Sequence, residues 1–173
     1  MKTESAGIGY VPGNKEFSAC NQTGMTVEIF LRYIHFISIF TIVSSLVAEH
    51  LLLKKELTRG EIRRIARIDS VYGVAALTLL TAGLTLWLGS FGKPAEYYNK
   101  NWIFHTKITF FLTIGLLSIY PTIFFIKNSK GDPQEVITVP KIVFWLLRFE
   151  LMLLFIIPLL AGLMAHGLGY FGK

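Results

Sequence analysis

The sequence predicts an all-α fold, an integral membrane four-helix up-down bundle, and three observations carry that prediction. Four apolar stretches each reach the roughly 20 residues that a helix needs to cross a bilayer. The composition is 53% hydrophobic and only 16% charged, with a mean hydropathy of +0.53, whereas soluble domains carry about 25% charged residues. The connections between the stretches are short, which makes sequential helices antiparallel neighbours. A 14% aromatic content excludes a disordered chain. The single cysteine, Cys20, excludes an intrachain disulfide framework and any multi-cysteine metal site.

Two regions are expected, a polar N-terminal tail over 1–24 and a four-helix transmembrane domain over 25–173. The tail is rich in Gly, Ser and Asn and lacks the apolar centre of a secretory signal. Met25 directly precedes the first apolar stretch, with Thr26 available as an N-cap. The expectation is therefore that translation starts at Met25 and that the first 24 residues are an extension. The predicted helices cover about 27–53, 68–91, 102–126 and 142–170. Each is mainly Leu, Ile, Phe and Val, without the alternation of a strand.

Orientation follows from the basic residues near the span ends. Lys54, Lys55, Arg59, Arg63, Arg64 and Arg67 join spans one and two, and Lys127, Lys130 and Lys141 join spans three and four. The opposite side carries Lys2, Lys15, Lys93, Lys100 and Lys173. Nine against five predicts both termini outside and both basic loops in the cytoplasm. Trp102, Tyr97, Tyr98, Tyr170 and Phe171 fall at the outer ends, where an interfacial aromatic belt belongs. The net charge of +6 thus comes from membrane loops. No DNA-binding motif accompanies it, so no nucleic-acid partner is expected. The expected surroundings are the lipid bilayer, with a homo-oligomer or larger membrane complex as a further partner.

Ionisable groups inside a lipid-crossing helix are costly and usually face the interior. Span one holds Glu28, Arg32, His35, Ser38, Ser45 and Glu49 at steps of three, four or seven, which places them on one stripe. His35 lies roughly 12 Å below the outer end at 1.5 Å per residue. Depth then sorts the polar groups into two layers. The outer layer holds His35, His105, Lys107 and His166; the inner one holds Glu49, His50, Arg67, Asp69, Arg148 and Glu150. Lys107 shares a face with Ser118 and Thr122, and either faces inward or reaches to the headgroups. Arg148, Met152, Phe155, Leu159, Gly162 and His166 form one stripe on span four, and Arg148 is expected to pair with Glu49 or Glu150. Asp69, Gly73, Ala76 and Gly83 form a small-residue groove on span two, open to a neighbouring helix or a flat cofactor. No HExxH, no CxxC and no phosphate-cradling glycine loop is present.

The strings LRYIHF, SLVAEHLLLKK, RIDSVYG, NWIFHTKITFF and SIYPTIFF resemble a widespread bacterial family of predicted membrane proteins of unknown function. The likeness covers nearly the whole chain from Met25. A remoter resemblance is to HemJ-type protoporphyrinogen IX oxidases, four-helix membrane proteins that bind haem b. His35 matches their first-helix histidine, Trp102, His105 and Lys107 resemble the opening of their third helix, and Arg148 with Glu150 resembles a fourth-helix element. The resemblance implies His35 as ligand of the haem iron and Lys107 as an essential polar partner. Two elements depart from that pattern: Glu49-His50 stands where HemJ proteins have Pro-Arg, and Phe149-Glu150 where they have Asn-Glu.

Three functions compete on this reading. The first is a haem b-binding membrane oxidoreductase or electron carrier. Its site would comprise His35 on iron, with His105, His166 or Met152 as second axial ligand or that position vacant. Arg32, Lys107 or Arg148 would pair with propionates, and Lys107, Glu49, Arg148 and Glu150 would form the catalytic polar set. The second is a proton, ion or small-metabolite carrier built on Glu49, Asp69, Glu150 and His50. The third is a structural or accessory subunit packed through Ala161, Ala165 and Gly169.

Overall fold

The structure, a computed structural model, describes residues 14–89, 99–166 and 168, with side chains from residue 24 onward. Four helices are long and apolar enough to cross a membrane. They are α1 (Asn14–Leu52), α2 (Arg59–Leu88), α3 (Trp102–Asn128) and α4 (Lys141–Ala165). Each packs on the next and α1 meets α4, so the four close into a bundle. Tyr97, Tyr98, Tyr170 and Phe171 lie outside the described residues.

Helix boundaries depart from the sequence expectation where local chemistry was underread. Residues 14–24, assigned to a polar tail, continue α1. Between Pro12 and Met25 no proline interrupts the chain, and each residue added to an existing helix gains one backbone hydrogen bond. Helix α2 begins nine residues before the expected Ile68. Thr58 accepts from the Glu61 backbone N–H while the Glu61 carboxylate accepts from that of Thr58, a reciprocal cap. At the start of α3 the Asn101 side chain accepts from the Ile103 N–H. Helix α4 ends at Ala165, short of the expected Tyr170.

Two three-residue strands were not expected. β1 (Glu56–Thr58) and β2 (Val136–Thr138) pair antiparallel with Leu57 opposite Ile137. They join the α1–α2 connection to the α3–α4 connection, and both therefore lie at one end of the bundle, here the paired end. Arg59 fastens this end. Its guanidinium donates to both Glu135 carboxylate oxygens at 2.6 and 2.9 Å and to the carbonyls of Lys130 (2.6 Å) and Asn128 (3.3 Å). Gly131 sits at φ 120°, and a Cβ there would meet the Arg59 side chain at 3.1 Å. Glycine is thus needed for both the backbone angle and the space.

The described core runs from this end into the bundle. Leu57, Ile62, Ile65, Phe125, Val143 and Leu147 are all buried, and Ile42 and Leu46 continue the packing along α1. Large apolar side chains such as Phe30, Phe40, Leu77, Leu116, Trp145 and Phe155 stay exposed around the outside. That is the surface a bilayer covers, since lipid tails solvate apolar groups as well as a protein core does.

Candidate functional site: two polar layers in the bundle

Helical spacing brings the polar groups of α1 to its inner face. From His35 onward the stripe is turned inward: Ser38, Ser45 and Glu49 are buried and His35 is half-buried. His35 and Glu49 are about 21 Å apart along the axis at 1.5 Å per residue, so they belong to separate layers. The part of the stripe farthest from the paired end behaves differently. Arg32 is exposed and pairs with Glu28 at 2.7 Å one helical turn away.

The first layer is built around His35 and Lys107. The imidazole lies on Gly83 of α2, where a Cβ would stand 3.4 Å from Cε1 and 3.7 Å from Nδ1. The ring is engaged by a hydrogen bond with the Leu79 backbone, while Nδ1 is buried without a partner. Lys107 of α3 is half-buried and within electrostatic reach of this ring. Its Nζ approaches the Met164 sulfur of α4 at 3.8 Å, and it forms no ion pair among the described residues. One layer therefore joins all four helices through an imidazole, an ammonium and a buried thioether.

The second layer, nearer the paired end, is acidic. Glu49 of α1 and Glu150 of α4 are each 1% exposed, and Asp69 of α2 is 4% exposed. The three carboxyl groups lie within electrostatic reach of one another, and the Tyr72 hydroxyl is within reach of all three. Thr122 of α3 donates to Asp69 at 2.9 Å, and Ser118 bonds Tyr72. One Glu49 oxygen and both Glu150 oxygens have no partner. Among the described residues no cation pairs with them.

Several sequence candidates lie elsewhere. Arg148, Met152, Phe155, Leu159, Gly162 and His166 do share one stripe of α4, and every one of them is exposed. The ion pair expected between Arg148 and Glu49 or Glu150 is not formed among the described residues. Two residues of helix rotate Arg148 about 200° from Glu150, which sends it to the outer surface. His105 is exposed, with Nε2 at 3.1 Å from the Asn99 carbonyl. His50 is half-buried and its Nδ1 is buried without a partner.

Met164 and Tyr72 were missed from sequence. The signal was there: Glu150, Ile157 and Met164 recur every seven residues on α4, as Ile65, Tyr72 and Leu79 do on α2. Outside the membrane-spanning parts, the Arg59 guanidinium holds the Glu135 carboxyl below the usual carboxylate range. Among the described residues no three His, Cys, Asp or Glu side chains come together as a metal-holding group.

No curated protein and no solved structure matches the chain. A family profile does, over residues 27–169. That stretch contains both polar layers and all of the four spans but the start of the first, and by it the chain belongs to the family of predicted membrane proteins DUF2214.

Proposed function

We propose that this membrane protein binds haem b and acts as an oxidoreductase or electron carrier, with His35 as the ligand of the iron. One observation carries the reading: an imidazole turned into the bundle, fixed through the Leu79 backbone, with a buried nitrogen that has no partner. A histidine that ligates metal is typically oriented in this way by a second hydrogen bond from its ring. Lys107 supports the same reading. An ammonium inside an apolar bundle needs an anion, and a haem propionate is one.

The residues around the ring fit such a group in kind. Gly83 lets the imidazole lie close against α2, the Leu79 backbone holds its orientation, and Lys107 supplies the positive charge. When bound, haem would supply one-electron chemistry whose potential depends on its axial ligands and its burial. His105, His166 and Met152 face outward and Arg32 is neutralised by Glu28, so the support rests on His35 and Lys107.

The test is the visible spectrum of the protein purified from cells supplied with haem precursor, oxidised and then reduced with dithionite. A Soret band that shifts on reduction and is lost in His35→Ala is the expected result. A folded, colourless preparation overturns the proposal.

A further inference from the structure

The carboxyl layer stands 21 Å from His35 along α1 by helical rise and has no role in holding a haem. Glu49, Asp69 and Glu150 come from three different helices and converge inside the bundle, each at most 4% exposed. Glu150 is the informative member. Its two oxygens are both buried and both unpartnered. A buried carboxylate is stable only with cations or several hydrogen-bond donors around it. Among the described residues neither reaches Glu150. On α1 the nearest titratable neighbour is His50, half-buried; on α2 it is Tyr72, bonded to Ser118. Arg67 of α2 and Arg148 of α4 are exposed, and α3 contributes only Thr122 and Ser118.

The remaining way to balance the layer is an occupant that neutralises it from within. A proton is the occupant that neutralises a buried carboxylate without needing further ligands around it. We infer that Glu49, Asp69 and Glu150 form a buried proton-binding site, each carboxyl taking up its own proton, with Tyr72 and Thr122 as its hydroxyl neighbours. Binding is simple protonation, one proton per carboxylate converted to a neutral acid, and needs no co-reactant. Ile62, Ile65, Phe125, Val143 and Leu147 lie on the helices between these carboxyls and the paired end, and all are buried. Apolar packing therefore separates the site from water on that side, which slows proton exchange there.

Infrared spectroscopy of the full chain in a detergent without carbonyl groups at pH 7 tests this without reference to haem. Exposed carboxyl groups are ionised at that pH, so a carbonyl band of protonated carboxyl, shifting slowly on transfer to D2O, reports buried acids. The band is expected in the wild-type protein and in His35→Ala, and is expected to lose intensity in E49Q, D69N and E150Q. No such band in the wild type overturns the inference, as does a band that none of the three substitutions diminishes. Should one variant fail to fold, the wild-type band and the other two still decide. A band without a Soret absorption sinks the haem proposal alone; a Soret absorption without the band sinks the proton site alone.

Discussion

Gly83 of α2 receives the imidazole of His35 from α1, with only 3.4 Å between the position of a glycine Cβ and His35 Cε1. That spacing is an ordinary van der Waals contact for one methyl group and leaves nothing for a larger side chain. Gly83→Ala is expected to fold normally, since alanine gains about 1 kcal/mol of helix propensity against a tolerable contact. Gly83→Leu is expected to lose about 1–3 kcal/mol by overpacking and to turn the ring away. Thermal unfolding of the purified variants in detergent checks both.

Thr122 ties α3 to α2 through Asp69. Replacing it with valine keeps the shape and removes the hydroxyl donor. We expect Thr122→Val to cost about 0.5–2 kcal/mol, the range for a lost hydrogen bond to a buried group inside a membrane bundle. Thr122→Ser should stay within a few tenths of wild type. Equal stability of the valine and serine variants in the same unfolding measurement would contradict the tie.

The reciprocal cap between Thr58 and Glu61 determines where α2 begins. Thr58→Ala is expected to destabilise the protein by about 1 kcal/mol and to fray the first turn. Faster amide hydrogen exchange confined to residues 58–62 is the signature to look for. Unchanged exchange there would show that the strand pair alone holds this turn.

Acid should loosen the paired end before the rest of the bundle. Arg59 lowers the Glu135 value below the ordinary 4.5. A lowered carboxyl value in the folded state stabilises above the unfolded value, and that contribution is lost as pH falls through the folded one. Proteolysis of the 129–135 connection should therefore rise below about pH 4 in wild type. Glu135→Gln should show the raised cleavage at neutral pH already, with little further acid dependence. Identical pH profiles for the two proteins would remove Glu135 from the account.

The four spans were readable because a bilayer demands a length and a composition that few other structures share. The polar stripe of α1 was readable because helical period alone decides it. Arg148 could not be placed in the same way. Its type and depth suggested a partner for Glu49 or Glu150, but a charged residue near a span end has the bundle interior and the lipid surface both open to it, and only the packing of α4 decides between them. The strand pair was hidden for a different reason: three residues on each side carry too little pattern, and what fixes them is the long reach of Arg59 to Glu135. Thr58 and Glu61 were legible in principle, as a threonine followed three residues later by a glutamate ahead of an apolar run.

The strands β1 and β2 with Arg59 make one end of the molecule a hinge. The α1–α2 and α3–α4 hairpins are cross-linked there by backbone pairing and by a guanidinium with four acceptors. Two arms fastened at one end have the least freedom to part at the joint and the most at the tips. Any parting of these arms would be felt first around His35 and Lys107 and last among the acids.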